Sequence, residues 1–268
     1  MPEGHTIHRY ARLQTQALGD TSLRMSSPQD RASEAAEALD GRRIERIDAY
    51  GKHLLYRFED ELSLHVHLGL FGRFRTWRAP APSPRDTIRL RFDAGERVID
   101  LSGATASHLI DPATEAKMLA RLGPDPLRPG ADPERAWEAL RRRRIPIGAA
   151  LLDQNVIAGI GNVYRAEILF ACGLDPILPA KTIKRAEWEE IWETTRAMLR
   201  TGERSGRIVT VPASESKGAP SKLRGRDRVQ VYRREQCRRC GTKVRMKEIS
   251  ARNLFWCPTC QPRRRRLA

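Results

Sequence analysis

No stretch of the 268-residue chain approaches the ~18 consecutive apolar residues that a membrane-crossing helix needs. The first residues also lack the charged-then-apolar order of a secretory signal. These two absences predict a cytoplasmic protein, associated with the nucleoid if the cell is bacterial, with no membrane partner. Cysteine is scarce too: there are five, and four of them fall in the last 32 residues. That crowding argues against a disulfide framework and for a metal in a reducing compartment. Acidic residues are in deficit, 33 Asp and Glu against 49 Lys and Arg, for a net charge of +16. A chain of ordinary hydrophobic content with so positive a balance suits a polyanionic partner, nucleic acid first among them.

The front of the chain carries specific chemistry. Met1-Pro2-Glu3-Gly4-His5 is a good substrate for methionine removal, which would leave a prolyl amine at the terminus. A backbone amine titrates near ~8, so more of it is neutral at physiological pH than is true of lysine. Being a secondary amine, it can add to an aldehyde-level carbon and lose water to form a cationic iminium, an electron sink. Glu3 offers a carboxyl group for proton transfer. Taken alone, the dipeptide reads more readily as simple methionine excision at the start of a helix.

Residues 3–18 read as a first helix with Ile7, Tyr10, Leu13 and Ala17 on one face. Between 41 and 110 the apolar period becomes two, as in Leu54-Tyr56-Phe58, Leu62-Leu64-Val66-Leu68 and Ile88-Leu90-Phe92, which predicts antiparallel strands. The proline-rich segment Ala79–Pro84 between them can only be a loop. Pro112, Pro124, Pro126, Pro129 and Pro133 mark a linker, and Asp132-Pro133 has the form of a helix start. Helices are expected over 133–143, before Gly159, from Gly161 to Gly173, and from Thr182, the last with Trp188, Ile191, Thr195, Met198 and Leu199 on a buried stripe. Residues 205–228, rich in Ser, Gly, Pro and basic residues, predict a mobile loop or hinge.

Cys237-x2-Cys240 and Cys257-x2-Cys260, sixteen residues apart, match the four-thiolate spacing of a structural zinc ribbon. A module of about 30 residues has too little core to fold without such a tie. The surrounding Arg238, Arg239, Lys243, Arg245, Lys247 and Arg252 outweigh the net −2 of a zinc tetrathiolate, so the hairpin is a plausible DNA contact. Cys172, alone in an apolar helix, reads as core. A redox dithiol fits poorly, since one pair would be enough for it.

The proline and glutamate at the front, Gly51-Lys52-His53 at a strand start, Leu68-Gly69-Leu70-Phe71-Gly72, Asn162 after a glycine turn in Leu151–Tyr164, and Arg252 just before the second cysteine pair together resemble the formamidopyrimidine-DNA glycosylase and endonuclease VIII family. The opening Met-Pro-Glu-Gly-His-Thr looks more like the endonuclease VIII branch. The resemblance implies an α+β multidomain fold: an N-terminal β-sandwich with the first helix (2–122), a helix–two-turn–helix bundle (132–204), the loop (205–228) and a C-terminal zinc β-ribbon (229–264), with DNA held between the two halves.

It also implies a bifunctional DNA glycosylase and abasic-site lyase of base excision repair. Such an enzyme removes oxidised bases, pyrimidines in this branch, and cleaves the strand by β,δ-elimination. Pro2 would form the Schiff base, Glu3 would shuttle protons, and Lys52 would assist base loss and elimination. Arg252 would grip phosphates flanking the lesion and take part in the second elimination. Asn162 and Arg121 would contact DNA, and Leu70 and Phe71 would fill the gap left by an extruded base. From the residues alone, Asn162 is as good a helix cap, and Leu70 and Phe71 would serve equally as core. Gly69 departs from the family's polar residue there, which bears on how the opposite base is read. One structural zinc on Cys237, Cys240, Cys257 and Cys260 is the only cofactor expected, and a monomer acting on damaged DNA the expected partnership. The alternative is a non-catalytic zinc-ribbon nucleic-acid-binding protein on the same fold.

Overall fold

The computed structural model describes residues 2–19, 21–216 and 222–263. Met1, the centre of the expected loop at 217–221 and the last expected ribbon residue, 264, lie outside them. The chain divides into two compact units, Met1–Arg121 and Leu122–Ala268. Among the described residues no helix is long and apolar enough to cross a membrane.

The first unit is a β-sandwich. After α1 (Gly4–Leu18) come β1 (Arg24–Ser26), α2 (Ser33–Leu39), β2 (Ile44–Tyr50), β3 (His53–Phe58), β4 (Ser63–His67), β5 (Arg73–Arg78), β6 (Ile88–Asp93), β7 (Arg97–Ser102), β8 (Ala106–Ile110) and α3 (Pro112–Ala120). The strands form two antiparallel sheets ordered β1-β6-β7-β5 and β2-β3-β4-β8. The two-residue alternation turns Leu54, Tyr56, Phe58, Leu64, Val66, Leu90 and Phe92 into the core, each at most 1% exposed. Each such side chain contributes roughly 1.5–3 kcal/mol by leaving water. Tyr56 stacks on Phe92 with ring centroids 5.1 Å apart.

Three details depart from expectation. Helix α1 buries Ile7, Ala11, Gln14 and Leu18 rather than Leu13, which is 38% exposed, while Tyr10 and Ala17 are only partly covered. The face is rotated because Gln14 has a partner inside: the buried Tyr56 hydroxyl donates to its Oε1. Between 18 and 41, where no periodic signal is long enough to read, β1 and α2 supply Met25, Ala35, Ala36 and Leu39 to the core. Pro112 begins a helix instead of a linker, and Asp111 caps it through Thr114 N–H at 2.6 Å. The cap-plus-proline signal read at 132–133 recurs there unread.

The second unit contains α4 (Pro133–Arg141), α5 (Ile147–Ala150), α6 (Asn162–Ala171), α7 (Arg185–Ser205) and the hairpin β9 (Arg245–Ile249) and β10 (Arg252–Trp256). Asp132 caps α4 by accepting from Glu134 N–H at 2.9 Å. Helix α7 starts at Arg185, not Thr182, because Glu187 reaches back to the Lys184 N–H at 2.8 Å. On its expected stripe Trp188, Ile191, Thr195 and Leu199 are buried, with Met198 packed at the margin. A smaller core joins Ala166 and Phe170 of α6 to Val231, Cys237 and Cys257, so the cysteine module borrows its apolar contacts from α6.

Replacing Tyr56 by Phe leaves the Gln14 amide buried without its donor, which costs ~1–3 kcal/mol. Differential scanning calorimetry should show a clear fall in Tm for Tyr56→Phe and none for the exposed Gln16→Ala. Equal Tm values would refute the pairing as the reason for the helix rotation.

Candidate active site and zinc centre

Pro2 is half-buried, and Glu3, the residue before the first turn of α1, is completely buried. The Glu3 carbonyl accepts from Thr6 N–H at 2.8 Å, which fixes the backbone beside Pro2. The helix dipole makes this end of α1 favourable to anions and unfavourable to further positive charge. His5 suits that setting, since burial lowers its pKa to about 3 and keeps it neutral.

Lys52 sits in the tight turn between β2 and β3, where Tyr50 and His53 are register partners. Gly51, at φ 56°, supplies the left-handed residue that starts this turn. Four histidines follow on neighbouring strands, His53, His65, His67 and His108, a grouping the sequence pattern did not reveal. Their rings form a chain with centroid separations of 5.1–5.3 Å.

Leu70 and Phe71 are 51% and 83% exposed, so neither belongs to the core. They stand on a glycine-framed turn closed by Gly72 N–H donating to Leu68 C=O at 2.8 Å. Gly69 has φ +63°, and a Cβ there would meet Thr105 Cγ2 at 2.4 Å. Its departure from a polar residue is thus built into the turn: Thr105 occupies the space a side chain would need. Arg121 is exposed and ends α3.

In the second unit, Asn162 opens α6 behind an extended Gly161. Its Nδ2 donates to the Asn253 carbonyl at 3.1 Å, next to Arg252, and to the Tyr232 hydroxyl at 3.4 Å, while Oδ1 is buried without a partner. Five residues farther along α6, Glu167 is fully buried and accepts from the Thr210 hydroxyl and from the N–H groups of Gln230, Val231 and Tyr232. Burial raises its pKa, although all four donors favour the ionised form. Thr210 N–H also donates to Arg228 C=O at 2.8 Å, so both roots of the 205–228 segment meet at this carboxyl.

Arg165, equally buried, donates to Gly148 C=O at 3.0 Å and to Arg252 C=O at 3.1 Å. Sequence inspection missed Arg165 and Glu167. The available signal was two charged residues inside a helix whose neighbours are apolar, which requires buried partners. Arg252 itself is exposed and starts β10 after the left-handed pair Ser250 and Ala251.

The cysteines converge as the spacing predicts. Sγ separations are 3.9 Å for Cys237–Cys260 and 3.5 Å for Cys240–Cys257 and Cys240–Cys260, with all four within 4.8 Å. Zinc at ~2.3 Å from four thiolates puts the sulfurs about 3.8 Å apart, so the donor set fits one closed, structural zinc ion. Gln261 braces this end by accepting from Cys257 N–H at 3.0 Å and donating to Leu174 C=O at 2.8 Å. Of the surrounding cations, Arg238 pairs with Asp227 at 3.7 Å and Arg239 with Glu215 at 3.2 Å, while Arg245, Lys247 and Arg252 are exposed on the hairpin. Cys172 is half-buried at the end of α6, and burial pushes its thiol up to about 12, which leaves it unreactive.

This arrangement has close relatives. Residues 1–103 match the formamidopyrimidine-DNA glycosylase N-terminal domain, 122–212 its H2TH domain, and 234–263 the zinc finger found in FPG and IleRS. Endonuclease 8 1 of Mycobacterium tuberculosis (strain H37Rv) is 44% identical over 267 residues, covering 97% of this chain and all of that protein. The formamidopyrimidine-DNA glycosylase of Thermomicrobium roseum is 32% identical over 286 residues, covering 98% of each. Lactococcus lactis Fpg (MutM), solved with DNA containing N7-benzyl-Fapy-dG, superposes with a TM-score of 0.81 at 21% identity, over 98% of this chain and all of that one, a likeness of fold. The protein is therefore a zinc-containing enzyme of the DNA glycosylase class. It belongs to the formamidopyrimidine-DNA glycosylase and endonuclease VIII family.

Removing one thiolate opens the closed site. Cys257→Ser should contain less than one zinc per chain by atomic absorption, and hydrogen exchange at 245–256 should rise by at least tenfold. Full zinc content with unchanged exchange would show that the hairpin does not depend on the metal.

Proposed function

We propose that the protein is a bifunctional DNA glycosylase and abasic-site lyase that uses its N-terminal proline as nucleophile. The observation that carries this reading is the front of the first unit, where Pro2 directly precedes a completely buried glutamate at the N-terminus of α1. The N-terminal glycosylase family match includes both residues. A glutamate serving only as a solvated helix start would have no need of burial.

In this mechanism Met1 is removed and the free Pro2 nitrogen attacks C1′ of the damaged nucleotide. The C1′–N bond to the base breaks, and the base leaves with a proton delivered through Glu3. Sugar-ring opening gives the iminium. That cation accepts the electron pair when a proton is lost from C2′, and the 3′ phosphate departs in β-elimination. A second elimination releases the 5′ phosphate, and hydrolysis of the iminium returns the proline amine. Lys52 is assigned to base loss and elimination, and Arg252 to the flanking phosphates and the second elimination.

Leu70 and Phe71, both exposed, fit the role of a wedge that fills the space left by the extruded nucleotide. Arg121 contributes a backbone contact. Asn162 is assigned to a phosphate contact, and it also holds the strand that carries Arg252. The net charge of +16 supplies the salt-dependent part of DNA affinity. The substrates are oxidised bases, pyrimidines in particular, the reading carried by the endonuclease VIII-like opening Met1–Thr6.

Borohydride reduction in the presence of abasic-site duplex should trap a stable covalent adduct with correctly processed protein. An N-terminal extension that makes Pro2 an internal amide should abolish it. No adduct from the processed protein would overturn the assignment.

A further inference from the structure

The sheet β1-β6-β7-β5 carries a basic strip that neither the catalytic nor the wedge assignment uses. On β5, Phe74 turns into the core against its register partner Leu101, so Arg73, Arg75 and Trp77 share the opposite face. Arg75 is the cross-strand partner of Asp100 on β7, and Asp100 is the partner of Arg91 on β6. Asp100 is buried and fully engaged, accepting from Trp77 Nε1 at 2.8 Å and from Arg91 Nε and Nη2 at 2.7 and 2.9 Å. Asp93, the other carboxylate of this face, pairs with Arg24 at 2.9 Å. Arg73 and Arg75 are exposed, and neither makes an ion pair among the described residues. Instead the Arg75 guanidinium lies over the Trp77 ring, 4.2 Å from its centroid.

That stack leaves a charged fork in a set position. The indole cannot turn away without giving up its bond to a buried carboxylate, and a guanidinium on its face keeps its in-plane N–H groups for an outside acceptor. Planar N–H pairs of this kind match the oxygens of a phosphodiester. Arg73 and Arg75, two residues apart on one strand, are separated by about 6.6 Å, close to the spacing of successive phosphates along a DNA strand.

We propose that Arg73 and Arg75 form a phosphate-binding strip for the DNA strand opposite the lesion, with Trp77 as the positioning residue that holds Arg75 ready. The inference rests on the reading that Leu70 and Phe71 enter the gap left by an extruded nucleotide. Side chains in that gap face the base left unpaired on the complementary strand. Strand β5 leaves the wedge turn directly, with Gly72 alone between Phe71 and Arg73. The turn is also packed against the same sheet: a Cβ on Gly103, beside Ser102 of β7, would stand 3.1 Å from the Phe71 carbonyl oxygen. Ser102 is in turn the register partner of Arg73. Wedge and strip therefore belong to one continuous piece of structure.

The test is the Kd for a duplex containing a tetrahydrofuran abasic analogue, measured between about 50 and 200 mM salt. Each phosphate contact contributes about 0.9 to the slope of log Kd against log salt. Arg73→Gln and Arg75→Gln, each checked for folding by circular dichroism, should each lower the slope by about that amount, so that either variant's deficit shrinks about threefold across the range. Arg24→Gln removes a charge from the same face that is already paired, and it should keep the slope. Trp77→Leu should weaken binding, but should add nothing in the Arg75→Gln background. Neutral methylphosphonates placed singly in the complementary strand around the unpaired base should weaken wild type at one or more positions where the folded double variant Arg73→Gln/Arg75→Gln is indifferent. Slopes unchanged in both arginine variants, as a stack serving stability alone would give, overturn the inference. So does an equal loss in Arg24→Gln, or coupling to methylphosphonates in the lesion strand only. The wedge reading fails on a different result, an unchanged preference for the analogue over undamaged duplex in Leu70→Ala/Phe71→Ala.

Discussion

The proline nucleophile proposed for this protein would work only if its end of the chain is held still. Chain termini are ordinarily the least ordered part of a domain, and a loosely held amine loses the advantage of proximity. Here the immobilisation starts one residue in. Glu3 is completely buried, Gly4 and His5 follow it into the interior, and α1 packs along β2. Deep in the same helix, the Gln14–Tyr56 hydrogen bond sets its rotation against the sandwich. Pro2 thus projects from a fixed helix rather than from a tail.

The second unit meets an analogous demand with buried charge. Helix α6 carries Arg165 and Glu167 in an apolar setting, where each would be costly without partners. Their partners are backbone groups: Arg252 C=O for the guanidinium, and the Gln230–Tyr232 amides for the carboxylate. Satisfying α6 therefore fixes the hairpin and the roots of the basic segment before it. The zinc site closes the hairpin at its other end, and the small core around Phe170 and Cys257 fills the space between. Metal, helix and hairpin depend on one another, since none of the three has enough apolar contact to order the module alone.

Much of this was legible in the residues. Two-residue alternation located the core strands, the paired cysteines located the zinc, and Asp132-Pro133 located the start of α4. What escaped has physical causes. The face of α1 was misjudged because a polar side chain, Gln14, is buried on a partner 42 residues away, and periodicity counts only apolar positions. Helix α3 was hidden by reading prolines as linker punctuation when Pro112 is a first-turn residue. Among the site residues, the exposure of Leu70 and Phe71 followed glycine spacing that sequence alone left undecided. The inward turn of Asn162 Nδ2 toward Asn253 and the four-histidine chain depend on strand register and long-range approach, which one-dimensional patterns do not encode.

The central claim is that catalysis passes through the proline nitrogen, and its most direct measurement is the location of the covalent bond. Borohydride-trapped complex should be digested with nuclease and trypsin and sequenced by tandem mass spectrometry. The account predicts that Met1 is absent and that the reduced sugar remnant is carried on the nitrogen of Pro2, in the peptide ending at Arg9. A remnant on the Lys52 side chain, or on any other amine, would contradict it.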